Sequence, residues 1–353
     1  MHKLLCILLC CGLLTIKATA QDSTATEQKA VKILPVPALG YSQETRFYVG
    51  GVVLFTLRPY QDTLTRTSNA KAEVNYTWNK QFIAEVEWNY FFKREAWYSQ
   101  GKIRFSRFPD LYYGVGGETP ASNELRYNTT RQELSISMLR NLGQRWFAGP
   151  DLRYVRYSNL DVEAPEPVFP ELLPDRVIAT GLTVQRDTRN SLLTPTSGLF
   201  FRASLARTFA SSNYTELTLD LRRYLRFKDK YTLALRFYND FNFGDPPFFE
   251  YAYLGGDRFV RGYYFGRYRD NHLSTLQAEL RMPLVWRFRL AVFGGMSNNY
   301  HDGSSLAWQF TKPNVGAGLR FLVDKTENTY LRLDYAVGDG DNSTFTVAFG
   351  EAF

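Results

Sequence analysis

Hydrophobic and polar positions alternate along most of the chain after residue 44. Phe82, Ala84, Val86, Trp88 and Tyr90 share one face of an extended segment, with Glu85, Glu87 and Asn89 on the other. Leu217, Leu219 and Leu221 alternate with Thr218, Asp220 and Arg222 in the same way. The pattern returns in Tyr231, Leu233, Leu235 and Phe237, and again in Leu331, Leu333 and Tyr335 against Arg332 and Asp334. A period of two marks β-strands. Dividing the chain at its turns predicts sixteen of them, over 45–58, 67–79, 81–92, 97–108, 111–117, 126–140, 145–158, 175–187, 198–209, 214–227, 231–243, 272–284, 287–297, 311–323, 329–337 and 344–353. Short links at Asn79-Lys80, Pro109-Asp110 and Lys228-Asp229-Lys230 are expected to share one end, with longer connections at the other, notably 159–174 and 244–271.

Many of these segments run about 10–14 residues, longer than the usual strand of a soluble sheet and close to the length that crosses a bilayer. A soluble β-sandwich also alternates, but its polar face is not so rich in Arg and Glu. A membrane barrel turns apolar groups to lipid and charges to a wet lumen. No apolar run of about 18 residues follows the N-terminus, so no helix is expected to span. The sequence therefore reads as an all-β, 16-stranded antiparallel transmembrane β-barrel with a long loop between strands 11 and 12. The last strand carries Phe345, Val347, Phe349 and Phe353 on one face, interrupted by Glu351.

Composition sharpens this. The 27 Phe, 23 Tyr and 6 Trp make the chain 16% aromatic, which suits strands and membrane interfaces. Residues 1–20 look different: Lys3, an apolar stretch from Leu4 to Ile16, then Ala18-Thr19-Ala20 before Gln21 read as a secretory signal peptide. A lipoprotein signal is the alternative, poorly matched by Leu9-Cys10 before Cys11. Cys6, Cys10 and Cys11 all fall inside this segment, so disulfides, thiolate metal sites and cysteine nucleophiles are not expected after cleavage. Residues 21–44, with Pro35 and Pro37, read as a short periplasmic tail or plug, and 45–353 as the barrel. The net charge of +7 is spread with acids throughout, which is not a nucleic-acid footprint. No nucleophile elbow or HExxH motif occurs, His301-Asp302 reads as a solvated loop pair, and Asp339-Gly340-Asp341-Asn342 reads as a hairpin turn rather than a calcium loop. Neither enzymatic activity nor a cofactor or metal is expected, although a membrane-embedded hydrolase with scattered residues stays open.

Five segments carry a family resemblance. Leu254-Gly255-Gly256-Asp257-Arg258-Phe259-Val260-Arg261-Gly262-Tyr263 resembles the sixth-loop signature of the BamA/TamA outer-membrane assembly superfamily, the bacterial surface antigen type. Arg186-Asp187-Thr188-Arg189 with Pro195-Thr196-Ser197-Gly198 resembles that family's turn motif. Gln277–Arg281, Gly316–Phe321 and Arg332–Ala336 resemble its last strands, in order. The resemblance implies that the loop folds into the lumen and that Arg261 meets acids on neighbouring strands. Thr275, Gln277, Glu279 and Arg281 share the inward face by period two, so Glu279 is the expected partner, and Gly262 permits a tight turn. The family's usual acid on the following strand is replaced by Gly295, which implies a weaker lock.

Relatives that assemble or secrete proteins carry periplasmic POTRA domains ahead of the barrel. Residues 21–44 are too few for one, so the chain resembles POTRA-less members. The resemblance implies residence in the outer membrane of a Gram-negative bacterium, contact with its lipid, and work with periplasmic or surface protein partners and client outer-membrane proteins. Three roles stay open on the sequence: assembly or translocation, a passive pore, and a structural scaffold.

Overall fold

The computed structural model describes residues 31–42, 46–60, 62, 64–78, 80–163, 175–257, 259–303, 311–325 and 328–353. Among these the chain is almost entirely antiparallel strand: β1 (Val31–Ser42), β2 (Arg46–Leu57), β3 (Ser68–Thr77), β4 (Phe82–Phe91), β5 (Trp97–Tyr112), β6 (Leu125–Gly143), β7 (Trp146–Glu163), β8 (Arg176–Asp187), β9 (Gly198–Phe209), β10 (Tyr214–Phe227), β11 (Tyr231–Phe243), β12 (Ala252–Leu254), β13 (Tyr268–Asp270), β14 (His272–Pro283), β15 (Phe288–Tyr300), β16 (Lys312–Asp324), β17 (Thr329–Val337) and β18 (Ser343–Phe349). Sixteen of them pair in sequence order into one sheet, and β12–β13 form a separate small hairpin within segment 244–271. The sheet curls until its first and last strands, β1 and β18, lie side by side. No helix is long and apolar enough to cross a membrane.

The two faces of the sheet are inverted relative to a water-soluble protein. Leu182 and Leu205 sit opposite each other across β8–β9 and are exposed, while Thr183 and Gln185 on the alternate positions are buried. Leu276 and Met296 repeat the arrangement across β14–β15, beside buried Thr275, Gln277, Glu279 and Arg281. In water such a surface would forgo about 25 cal/mol for each Å² of apolar area left uncovered. Against lipid that penalty vanishes, and the interior keeps the charges.

Segment 244–271 occupies much of that interior. Phe248 and Phe249 pack with Tyr112, Tyr127, Val155, Tyr157 and Val177. Val260 and Tyr263 pack with Leu254, Tyr268 and Leu273. A cavity of about 1230 Å³ remains on the side of β1–β5 and β17–β18.

Two expectations about the N-terminal half need correction. The segment 21–44 is not a tail up to residue 44, because Val31–Ser42 is a strand with every residue in register against β2. Its prolines hid it from a propensity reading. The expected strands 97–108 and 111–117 are one strand, Trp97–Tyr112, running through Pro109-Asp110 without a turn. The sequence count of sixteen thus mixed one omission with one division. Lys80 also lies at the opposite end of the sheet from Lys228–Lys230, since seven strands, each antiparallel to the one before, separate the two links. The expected signal peptide 1–20, Asn79, Arg258, and 164–174 of the connection 159–174 lie outside the described residues.

Candidate functional site

Arg261 is 2% exposed at the centre of a charged network built by three strands. One guanidinium nitrogen lies 2.7 Å from Glu279 Oε2 on β14, and another 2.6 Å from Asp334 Oδ2 on β17. The guanidinium carbon stands 3.3 Å from the centre of the Phe293 ring on β15, a cation–π contact in a desolvated place. Alternation aims these side chains inward, and the β14–β15–β16–β17 register brings them level.

Further charges close the network. Glu279 also accepts from Arg281 (2.6 Å) and lies 3.4 Å from Arg320. Asp334 is shared with Arg320 and with Arg332 (3.1 Å). Arg332 reaches the loop at Asp257 (3.1 Å), and Arg320 reaches Glu351 (3.1 Å). Four arginines therefore face four carboxylates, and all but Asp257 are nearly inaccessible to solvent. Desolvating so many ions is costly unless each is paired and hydrogen-bonded. Every member of this set has an ionic partner, and Arg332 Nε is the one guanidinium nitrogen of the network buried without a hydrogen bond among the described residues.

Around Arg261 the chain is held by neutral bonds as well. Gly262 N–H donates to Thr344 Oγ1 (2.9 Å), and the Arg261 carbonyl accepts from Asn314 (2.9 Å). The Tyr263 hydroxyl donates to the Pro313 carbonyl (2.6 Å) and accepts from the Asp339 amide (2.7 Å). Burial pushes Tyr263 up to about 12, so it keeps the proton this bond needs. Gly262 adopts φ +105°, and an added Cβ would lie 2.8 Å from the carbonyl carbon of Val337. Gly262→Ala is accordingly expected to loosen the loop by roughly 1–3 kcal/mol, read as a lower melting temperature and earlier proteolytic cleavage between 254 and 267. Wild-type protection of that segment would contradict the close fit.

The turn motif lies at the far end of the same chain of contacts. Asp187 binds Arg189 (2.9 Å) and faces Arg66 (3.5 Å), which also holds Glu95 (2.8 Å). Arg186 lies over Trp146, 5.5 Å from its ring centre. Thr188 donates its amide to Leu199 (2.8 Å) and receives the Leu199 amide on its hydroxyl (2.9 Å). Gly198, at φ +110°, lets these strands approach, since a Cβ there would sit 2.3 Å from the Thr188 carbonyl. The Pro195 carbonyl accepts from Arg281 (2.9 Å). A continuous path, Arg261–Glu279–Arg281–Pro195, thus joins the two motifs.

Several participants were invisible as partners in the sequence. The position expected to hold an acid is Gly295, and the second carboxylate comes instead from Asp334, so the arginine is not short of a partner. Alternation already placed Arg332 and Asp334 on one face, but not at the height of Arg261. Glu351 does not interrupt an outward face: Gly350, at φ +78°, turns the chain inward, Glu351 meets Arg320, and Ala352 and Phe353 are buried against Tyr224 and Ala234. Asp110 anchors the loop through the Tyr264 hydroxyl (2.8 Å) and Arg269 (3.1 Å). Glu250 anchors it again through Tyr157 (2.9 Å), Tyr214 (3.1 Å) and Arg153. Among the described residues no group of three or more His, Cys, Asp or Glu is placed to hold a metal ion.

Comparisons with known proteins agree with this fold. A family model described as the Omp85 superfamily domain matches residues 55–353. No curated protein sequence matches the chain at a significant level. Among solved structures, BamA from Haemophilus ducreyi lacking POTRA domains 1-3 is similar in fold, with a TM-score of 0.57 and 13% identity over 91% of this chain and 70% of that one. CdiB from Acinetobacter baumannii is similar with a TM-score of 0.62 and 12% identity, over 91% of this chain. The chain spans 60% of the length of CdiB.

Proposed function

The chain belongs to the Omp85 superfamily, and we propose that it is an outer-membrane barrel of a Gram-negative bacterium that assists insertion or translocation of proteins. The observation that carries this reading is the junction of β1 and β18. The two edge strands lie side by side, yet no backbone ladder joins them among the described residues. A closed barrel otherwise leaves no free edge in lipid, so a weakly joined pair is where a client strand finds backbone partners. The loop network on β14–β17 braces the wall that adjoins β18, so that side stays rigid while the junction changes. The role of Val260, Arg261, Gly262, Tyr263 and Glu279 is then a structural lock, and the Arg186–Arg189 and Pro195–Gly198 turn braces it from the end where the short turns lie. A separate periplasmic partner would deliver clients, as the assembly superfamily's POTRA domains do.

A passive pore is the second reading, favoured by the cavity of about 1230 Å³ beside β1–β5. The experiment that separates them uses liposomes with and without the purified protein. An unfolded outer-membrane client is added, and its conversion to the heat-modifiable folded form is timed. Faster conversion at unchanged bilayer conductance supports assembly. Steady single-channel conductance with no effect on client folding supports the pore.

A further inference from the structure

The strand registers fix which backbone groups face the β1–β18 junction. The Trp78 amide donates to the Phe47 carbonyl (2.8 Å), so odd-numbered residues of β2 turn their backbone groups toward β3. Antiparallel pairing alternates, so even-numbered β2 residues face β1. The register sets Tyr48 opposite Gly40 and Val52 opposite Val36, so even-numbered β1 residues answer them. Odd-numbered β1 residues therefore turn N–H and C=O toward β18. Two of these are Pro35 and Pro37, which have no N–H. On the other side, the Gly350 amide donates to the Tyr330 carbonyl (2.9 Å). Even-numbered β18 residues thus face β17, and odd-numbered ones, Val347 among them, face β1. The Val347 carbonyl receives a hydrogen bond from the Tyr48 hydroxyl at 3.1 Å. Tyr48 belongs to β2, so its side chain crosses β1, and its register partner there is Gly40, which has no side chain to obstruct the ring.

We infer that Tyr48 is a side-chain pin across a junction from which Pro35 and Pro37 have removed backbone donors. The carbonyls of both prolines are free of this restriction and can accept from β18, but no backbone group on β1 between residues 34 and 38 can donate back to it. The phenol supplies a side-chain donor to Val347 across the same junction. Such a bond is released by rotating one side chain, whereas a full ladder must be unzipped bond by bond. The prolines keep the ladder from completing itself, and Tyr48 keeps the strands together at rest. For function this rests on the proposed reading that the junction admits client strands. The pin itself is tested without any client.

Hydrogen exchange on the full-length protein in lipid nanodiscs reads the amides of Phe345, Val347 and Phe349, with β14–β16 as the internal reference. Tyr48→Phe removes only the hydroxyl and is expected to speed exchange on β18 by roughly three- to tenfold, the factor for one net hydrogen bond. The double variant Pro35→Val/Pro37→Val restores two donors and is expected to slow exchange on β18. Unchanged β18 exchange in Tyr48→Phe overturns the pin. So does slower exchange on β2 rather than β18 in the proline variant, because the restored amides would then face the other way. If exchange shifts as expected while client folding in liposomes does not, the pin stands and the insertion reading fails. If client folding shifts without exchange, the pin fails.

Discussion

Glu279→Gln is expected to lower stability more than any other single change in the interior. Its carboxylate is fully buried and contacts Arg261, Arg281 and Arg320. Without its charge, four arginines keep only Asp334, Glu351 and the half-exposed Asp257. Removing one partner from a buried ion pair costs roughly 3–5 kcal/mol, because the remaining charge stays desolvated. Water from the neighbouring cavity lowers that figure, while repulsion among the three guanidinium groups raises it. The neutral amide keeps the volume, so the loss reports charge rather than packing. The temperature at which the compact band disappears on unheated gels, or the urea midpoint in detergent, gives the measurement. A midpoint matching wild type would show that solvent already screens the network.

Arg261→Ala is expected to have the second-largest effect, and of a different kind. It removes the bonds to Glu279 and Asp334 and the contact with Phe293 at once. Both acids nevertheless keep other arginines: Glu279 has Arg281 and Arg320, and Asp334 has Arg320 and Arg332. The sheet should therefore survive with a loss of roughly 2–3 kcal/mol, below the full penalty for an orphaned charge. The loop, by contrast, loses its central attachment. Protease cleavage between 254 and 267 should appear, and client assembly should fall even where the barrel remains heat-modifiable. Arg261→Lys keeps the charge but cannot present the guanidinium fork to two acids at once, so it should restore stability better than loop protection. Equal protection in Arg261→Ala and wild type would reduce the residue to one contact among many.

What the sequence made legible follows from where its periods are long. Two-residue alternation over β10, β11, β14 and β17 is uninterrupted, so those strands and the inward side of Glu279 and Arg281 could be read directly. Alternation fails as a guide where proline interrupts it. Pro35 and Pro37 disguised β1, and Pro109 disguised the continuation of β5 through to Tyr112, although in each case neighbouring strands supply the register. Partnerships were legible only in part. Period two tells which face a residue takes but not its height, which depends on the stagger between strands. Asp334 and Glu279 lie far apart in the chain and meet at one guanidinium because three registers accumulate between them. The inward turn at Gly350 left no trace in alternation, so Glu351 read as a defect when it is a member of the network.

The central claim is that the protein works by parting β1 from β18. Cysteine pairs placed across that junction, scanned between Val31–Pro37 and Thr344–Phe349, test it most directly, since the described residues contain no native cysteine to interfere. Client folding in liposomes is measured with each pair oxidised and then reduced. The oxidised barrel is expected to be folded and inactive, with activity returning on reduction. A barrel that assembles its client equally well when crosslinked would contradict it.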